Sequence, residues 1–265
     1  MKRIIFILTS FLIASSCFGQ TYDESEKVRK EIQEELLKLA ELDRNRHLAP
    51  AEMFQYSRSA SMYNKLLYFG FSPKPYARYT VMPAFGWKKY AFSAEKIKRK
   101  YYIISNELSR TSANSRESIH GDTNKMEIIE YFDVKTKETA GFQIVNVNTN
   151  STKIKRKLYL KIGELFELLA EQTKELQSFS RTTADGWILT VGPIATFDGI
   201  SFYFTSTDKN GEIKTGRAHN PDTDLWMWRA AWICNQLHSI GKGNNISQTD
   251  ILNEINELTN ELREF

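Results

Sequence analysis

The sequence predicts an α+β fold: a mainly antiparallel sheet of about six strands packed by a central Trp-rich helix, with amphipathic helices at both ends. Three observations carry that expectation. Residues 218–240 hold three of the five tryptophans and are apolar around almost the whole helical circumference. The stretches 24–47 and 251–262 repeat apolar residues at spacings of three and four among many charged ones. Between these ends, short β-branched and aromatic runs are punctuated by Gly, Pro, Asn and Asp.

At the start of the chain, Lys2 and Arg3 precede an apolar run from Ile4 to Ala14 and then a small-residue stretch, the layout of a secretory signal peptide. The run is too short for a membrane span. Cleavage after Gly19 is the preferred reading and leaves Gln20 as the new N-terminus. Lipid attachment at Cys17 is the subordinate one, because Ala14-Ser15-Ser16-Cys17 lacks the leucine expected three residues before a lipidated cysteine. The chain is therefore expected to be exported, periplasmic or extracellular, with residues 1–19 removed and 20–265 forming a single α+β domain. Its parts would be a helical hairpin over 24–69, a sheet region over 76–218 and C-terminal helices over 220–262. The formal net charge of +4 is small for 265 residues, so attraction for acidic partners must come from local clustering. With Cys17 removed, Cys234 is the one remaining thiol, placed as a small core residue of the tryptophan helix.

Val28, Ile32, Leu36, Leu39 and Leu42 define the inward stripe of the first helix, and Ala49-Pro50 interrupts it. A second helix is expected over 51–69, with Met53, Phe54, Tyr63, Leu66 and Leu67 inward and Gly70 at its end. Pro73 and Pro75 break the chain before a strand over 76–82. Residues 93–108 fit strand or helix, and 109–124, without an apolar period, read as a disordered exposed loop. Residues 126–134 and 140–148 are expected to pair antiparallel around a turn, the first as a central strand because both its faces carry large residues. A helix over 163–179 follows. Trp187, Leu189 and Val191 alternate as a strand, as do Ile200, Phe202 and Phe204, with Asp198-Gly199 as a turn between them. Asn210-Gly211 predicts a tight hairpin with both residues at positive φ.

The tryptophan helix is expected to be capped by Asn220, with Pro221 at its first position, Asp222 and Asp224 near the positive end of its dipole, and Gly241 at its stop. Leu225, Trp228, Trp232 and Ile233 line one side of a helix that should be enclosed, so Trp232 is expected in the core. A last helix begins at Ser247 or Thr249, with Ile251, Ile255, Leu258 and Leu262 as its narrow stripe.

Two basic segments are the best surface-binding signal. Lys96-Ile97-Lys98-Arg99-Lys100-Tyr101-Tyr102 is echoed by Lys153-Ile154-Lys155-Arg156-Lys157-Leu158-Tyr159. If extended, Lys96, Lys98 and Lys100 point one way, as do Lys153, Lys155 and Lys157, giving stripes suited to phosphates or acidic sugars. Alternating lysines also protect edge strands from aggregation, and that reading competes with ligand binding. The echo fits an old duplication as well as chance. A second candidate site is Arg217, His219, Asp222 and Asp224 at a strand-to-helix junction, which suits an anion at the helix start or a metal held by the imidazole and carboxylates, although capping explains most of the cluster without a ligand; His219 has no evident structural role.

Several chemistries are not indicated. There is no Gly-rich phosphate loop, His-Glu-x-x-His or Gly-x-Ser-x-Gly, so no nucleotide, metal or cofactor is expected. Ser93-Ala94-Glu95-Lys96, Ser112-Ala113-Asn114 and Lys214-Thr215-Gly216 follow the order of the three short motifs of serine β-lactamases and penicillin-binding proteins. Only 19 positions separate the first two serines, however, less than the helical part of that fold needs. The sequence thus favours a non-catalytic envelope or periplasmic protein that binds a partner protein or an anionic polysaccharide or lipid surface. The alternative is an exported hydrolase with a site near His219.

Overall fold

The computed structural model describes residues 26–51, 58–83, 88–122, 124–133, 135–184, 186–192 and 199–264. The signal segment with Cys17, and the positions Met53, Phe54 and Asp198, lie outside the described residues. The chain is α+β, with a mainly antiparallel eight-stranded sheet and five α-helices among the described residues. It divides into two compact units, one of residues up to 46 together with 176–195, the other of 47–175 and 196–265.

In the first unit a helix α1 (residues 26–46) accompanies the two-stranded sheet of β7 (Phe179–Thr182) and β8 (Ile188–Val191). Asp43 accepts a hydrogen bond from the Gln177 backbone N–H at 2.8 Å, Glu35 pairs with Arg181, and the Arg29 guanidinium lies 4.9 Å from the Trp187 ring centre. Leu36 and Ala40 are buried, whereas Val28, Leu39 and Leu42 of the expected stripe are exposed. Periodicity found the helix, but only one turn of its apolar face is covered.

The second unit is built on eight strands: β1 (Ala49–Pro50), β2 (Arg78–Pro83), β3 (Tyr90–Ile97), β4 (Lys100–Ala113), β5 (Met126–Phe132), β6 (Thr139–Ile154), β9 (Ile200–Thr207) and β10 (Ile213–His219). Their order is β1-β10-β9-β2-β3-β4-β6-β5, with every neighbouring pair antiparallel. Alternation sends Tyr79, Val81, Phe92 and Ala94 to one face, where α3 (Arg156–Glu171), α4 (Trp226–Gly241) and α5 (Gln248–Glu264) complete the main core. Thr80, Met82 and Ala91 go to the other face, where Leu66 and Leu67 of α2 (Arg58–Leu67) bury a smaller cluster against Leu108, Val145 and Val147. The helices thus cover both faces of one sheet. Cys234 is buried within α4.

Several expectations are corrected here. The strand count exceeds six because residues 90–113 form a hairpin of two long strands, where the sequence pattern fits strand or helix over 93–108 and a loop over 109–124. Polar residues such as Ser105 and Asn106 break the apolar pattern, yet they are buried because each finds a partner. Ser105 donates to the His238 carbonyl, and Asn106 donates to the Leu67 and Phe69 carbonyls at 2.7 and 2.9 Å. The strand β5 lies at the sheet edge, not in its centre, and Ile128, Tyr131 and Phe132 are exposed. The helix expected over 163–179 runs instead from Arg156 to Glu171.

At the Asn210-Gly211 hairpin only Gly211 has positive φ, at 85°, because the Asp208 carboxylate accepts the Asn210 and Glu212 N–H groups and shapes a wider loop. Asn220 does not cap the tryptophan helix. Its backbone is left-handed (φ 42°), its side-chain oxygen accepts from Ile200 N–H at 2.7 Å, and its amide fills the space a Cβ on Gly199 would need. The helix starts at Trp226. Gly241 is its last residue and lies against the sheet, where a Cβ would approach Ser105 Oγ to 2.0 Å. Ser247 caps the last helix as expected, accepting the Asp250 N–H at 3.3 Å.

Candidate anionic-ligand interface

The two basic segments do not form extended stripes, but the fold brings them together. In the first, Lys98 and Arg99 take positive φ (46° and 67°) and make the two-residue turn between β3 and β4, so Lys96 and Lys100 sit on different strands. In the second, β6 ends at Ile154, Lys155 is the N-cap of α3, and Arg156 and Lys157 open that helix. The predicted one-sided geometry fails in both segments because the chain changes direction within each. Yet Lys96 stands opposite Tyr101, Tyr101 opposite Ile154, and Tyr102 opposite Lys153. Hairpin tip and helix start therefore share one end of the sheet.

All eight cations there are exposed: Lys96, Lys98, Arg99, Lys100, Lys153, Lys155, Arg156 and Lys157. None forms a salt bridge among the described residues. Three of them crowd the positive end of the α3 dipole, the end where acidic residues are favoured, and the first turn contains no acid and no side-chain cap. That placement costs local stability and concentrates positive potential. Lys96 belongs to the sheet face packed by α3, α4 and α5 and Lys100 and Lys153 to the opposite face, so the charge rings the end of the sheet.

Beneath it three tyrosines are stacked. Tyr159 is parallel to Tyr76 at 4.3 Å and tilted against Tyr101 at 4.7 Å, and burial pushes its hydroxyl up to about 12. These rings fix the junction of strand and helix that carries the cations. Tyr102, on the other face, is half-buried.

The second predicted cluster divides. Arg217 faces outward opposite Tyr203, and His219 sits opposite Ser201, both on the face away from α3, α4 and α5. His219 Nδ1 and Ser201 Oγ are 2.8 Å apart, a contact that no local pattern reveals because 18 residues separate the two. Asp222 and Asp224 belong to the connection before α4. The Asp222 carbonyl accepts the Leu225 N–H in a turn, and Asp224 borders a hollow beside Trp228 and Trp232. Those two indoles are 37% and 40% exposed, which overturns the enclosed Trp232 expected from the helix's apolar circumference. The core side of α4 is occupied instead by Trp226 and Met227 in its first turn and then by the smaller Ala230, Ile233, Cys234 and Leu237.

Another open cleft, of about 500 Å³, lies between α3 and the β9–β10 hairpin. Both of its lysines are paired, Lys209 with Glu167 at 2.9 Å and Lys214 with Asp208 at 3.4 Å, and Glu164 and Glu171 add further acid to its wall, so it offers no free cation to an anionic ligand. Ser93 lies on β3 and donates to Glu95 at 2.6 Å, so it has no lysine one helical turn away. No three His, Cys, Asp or Glu side chains are grouped to hold a metal among the described residues. No helix among them is long and apolar enough to cross a membrane.

Arg99 and Arg156 complete the basic end, although the alternation along the sequence singles out only lysines. The signal that could have found Arg156 is the conflict between three consecutive cations and a helix start, whereas Arg99 is placed by the turn between β3 and β4. No family model, curated protein or solved structure matches the chain.

Proposed function

We propose that this chain is an exported, non-catalytic envelope or periplasmic protein that binds an anionic polymer or surface through the basic end of its sheet. The observation that carries the reading is the convergence on one sheet end of eight exposed cations that have no carboxylate partner among the described residues, three of them at the wrong end of a helix dipole. Since β3 and β4 are interior strands with no edge to protect, solvated turn lysines would explain Lys96, Lys98 and Lys100 alone. They do not explain why a second basic segment is delivered beside them by a strand that pairs with β4.

Replacing Lys96, Lys98 and Lys100 by Gln tests it, with dextran sulfate as the probe. Retention is expected to fall by about tenfold or more at low salt, and the log–log salt slope to shrink by about 0.7 to 0.9 for each sulfate group that is no longer neutralised. The same change at Lys153, Lys155 and Lys157 should act in the same direction, and circular dichroism should be unchanged because all six side chains are exposed. Unaltered retention and slope in both triple variants would remove the reading.

A second reading rests on the 2.8 Å contact between Ser201 Oγ and His219 Nδ1, a hydroxyl beside a base. Under it the protein is an exported hydrolase. His219→Ala would abolish turnover of envelope esters without altering the melting temperature, while the lysine variants would retain full activity.

A further inference from the structure

The basic end leaves another surface feature unused. Trp228 and Trp232 stand one turn apart on α4, both more than a third exposed, and Trp228 is held edge-on against Phe202 with ring centres 6.3 Å apart. They border a hollow of about 300 Å³ whose rim includes Asp224, Arg229 and Glu261. Arg229 does not offer a free positive charge. Its guanidinium donates to Glu254 at 3.0 and 3.3 Å and to Glu257 at 2.6 Å, with Glu261 at 3.6 Å. Burial works to lower its pKa, but the hydrogen bonds and charges of Glu254 and Glu257 outweigh that and hold it above the usual value.

Of the charged groups that line the hollow, Asp224 and Glu261 outnumber Arg229, whose charge is further engaged by Glu254 and Glu257 of α5, so the hollow is net negative. The faces of the indoles carry negative potential as well, so local field and ring quadrupole favour the same kind of ligand. An anion is repelled by both. A neutral apolar group gains stacking alone, and a neutral sugar gains stacking and hydrogen bonds without charge. A positively charged nitrogen bearing methyl or methylene groups uses every wall: its carbons lie on the indoles and its charge faces the carboxylates.

We infer that the Trp228–Trp232 hollow is a binding site for an alkylammonium group, the chemistry shared by choline headgroups and lysine side chains. None of its residues belongs to the basic end, so this inference and the anionic-polymer reading stand or fall separately.

Calorimetric titration of the full chain with choline, with N-acetyl-lysine methylamide and with the neutral isostere of choline, in which carbon replaces nitrogen, tests it. At least one ammonium probe is expected to bind saturably in the millimolar range, about tenfold tighter than the isostere. Choline tighter than the lysine amide identifies a headgroup source, and the reverse order a side-chain source. Trp232→Leu and Glu261→Gln should each weaken that binding by about fivefold or more while leaving the melting temperature in place, since both side chains are partly exposed. Choline binding no tighter than that of its isostere, with no saturable binding of the lysine amide, would overturn the inference. So would the absence of saturable binding of either ammonium probe, or tighter binding of methyl glucoside.

Discussion

Phe166→Ala is expected to lower the unfolding free energy by about 3 to 5 kcal/mol, the loss typical of a large ring removed from a packed core. Phe166 is 1% exposed on α3 and joins the helices to two strands. Its ring meets Phe92 of β3 edge-on at 6.2 Å and Phe204 of β9 at 6.1 Å. Nothing nearby can slide in to fill the space, because β3 and β9 are each tied to β2 by a full antiparallel ladder. Trp232→Ala removes a larger side chain but should cost only about 1 kcal/mol, since that ring already faces water. Urea unfolding of the two variants side by side checks the ordering. A Trp232→Ala loss as large as that of Phe166→Ala would mean that the indole is packed in solution, and the alkylammonium hollow would lose its aromatic wall.

Acid is expected to destabilise the protein through His238 before its carboxylates titrate. The imidazole is buried between α4 and β3, stacked on Tyr90 at 4.5 Å, and its Nδ1 has no hydrogen-bond partner. Burial is the main cause that lowers its pKa from 6.5 to about 4, and Lys242 adds to it. Glu107 and the Ala91 backbone act the other way. The folded-state value lies below the unfolded one, so on acidification the unfolded chain takes up the proton first. Stability from this group is therefore complete above pH 6.5 and is lost progressively down to about pH 4. The full loss amounts to about 3 kcal/mol at 1.36 kcal/mol per pH unit of displacement. Denaturant unfolding across that interval should show the slope in the native chain and a flatter profile in His238→Gln. Identical profiles would contradict the assignment.

Much of the architecture is legible in single residues. Ile251, Ile255, Leu258 and Leu262 are all buried on α5, because a period of three and four can be satisfied only by a helix lying on a core. The pairing of β5 with β6 and of β9 with β10 follows from alternation and from turn residues that act locally. Local rules fail where a tertiary partner replaces them. Asn106 and Ser105 are strand residues because distant carbonyls accept their protons, and no window of sequence contains those carbonyls. Asn220, a good cap by type, is diverted to Ile200 on a neighbouring strand.

The functional candidates divide in the same way. Sequence by itself determined which residues carry the charge: both basic segments, and the absence of a large global field that would make them redundant. Only the tertiary structure decided where that charge lies, because side-chain direction depends on whether the chain turns at Lys98 and coils at Arg156. Sequence also determined that α4 is too apolar to stand free in water. Which of its faces stays wet was decided by packing: the sheet accepts the side of Ala230, Ile233 and Leu237 closely enough that Gly241 has no room for a Cβ, and that fit turns Trp228 and Trp232 outward.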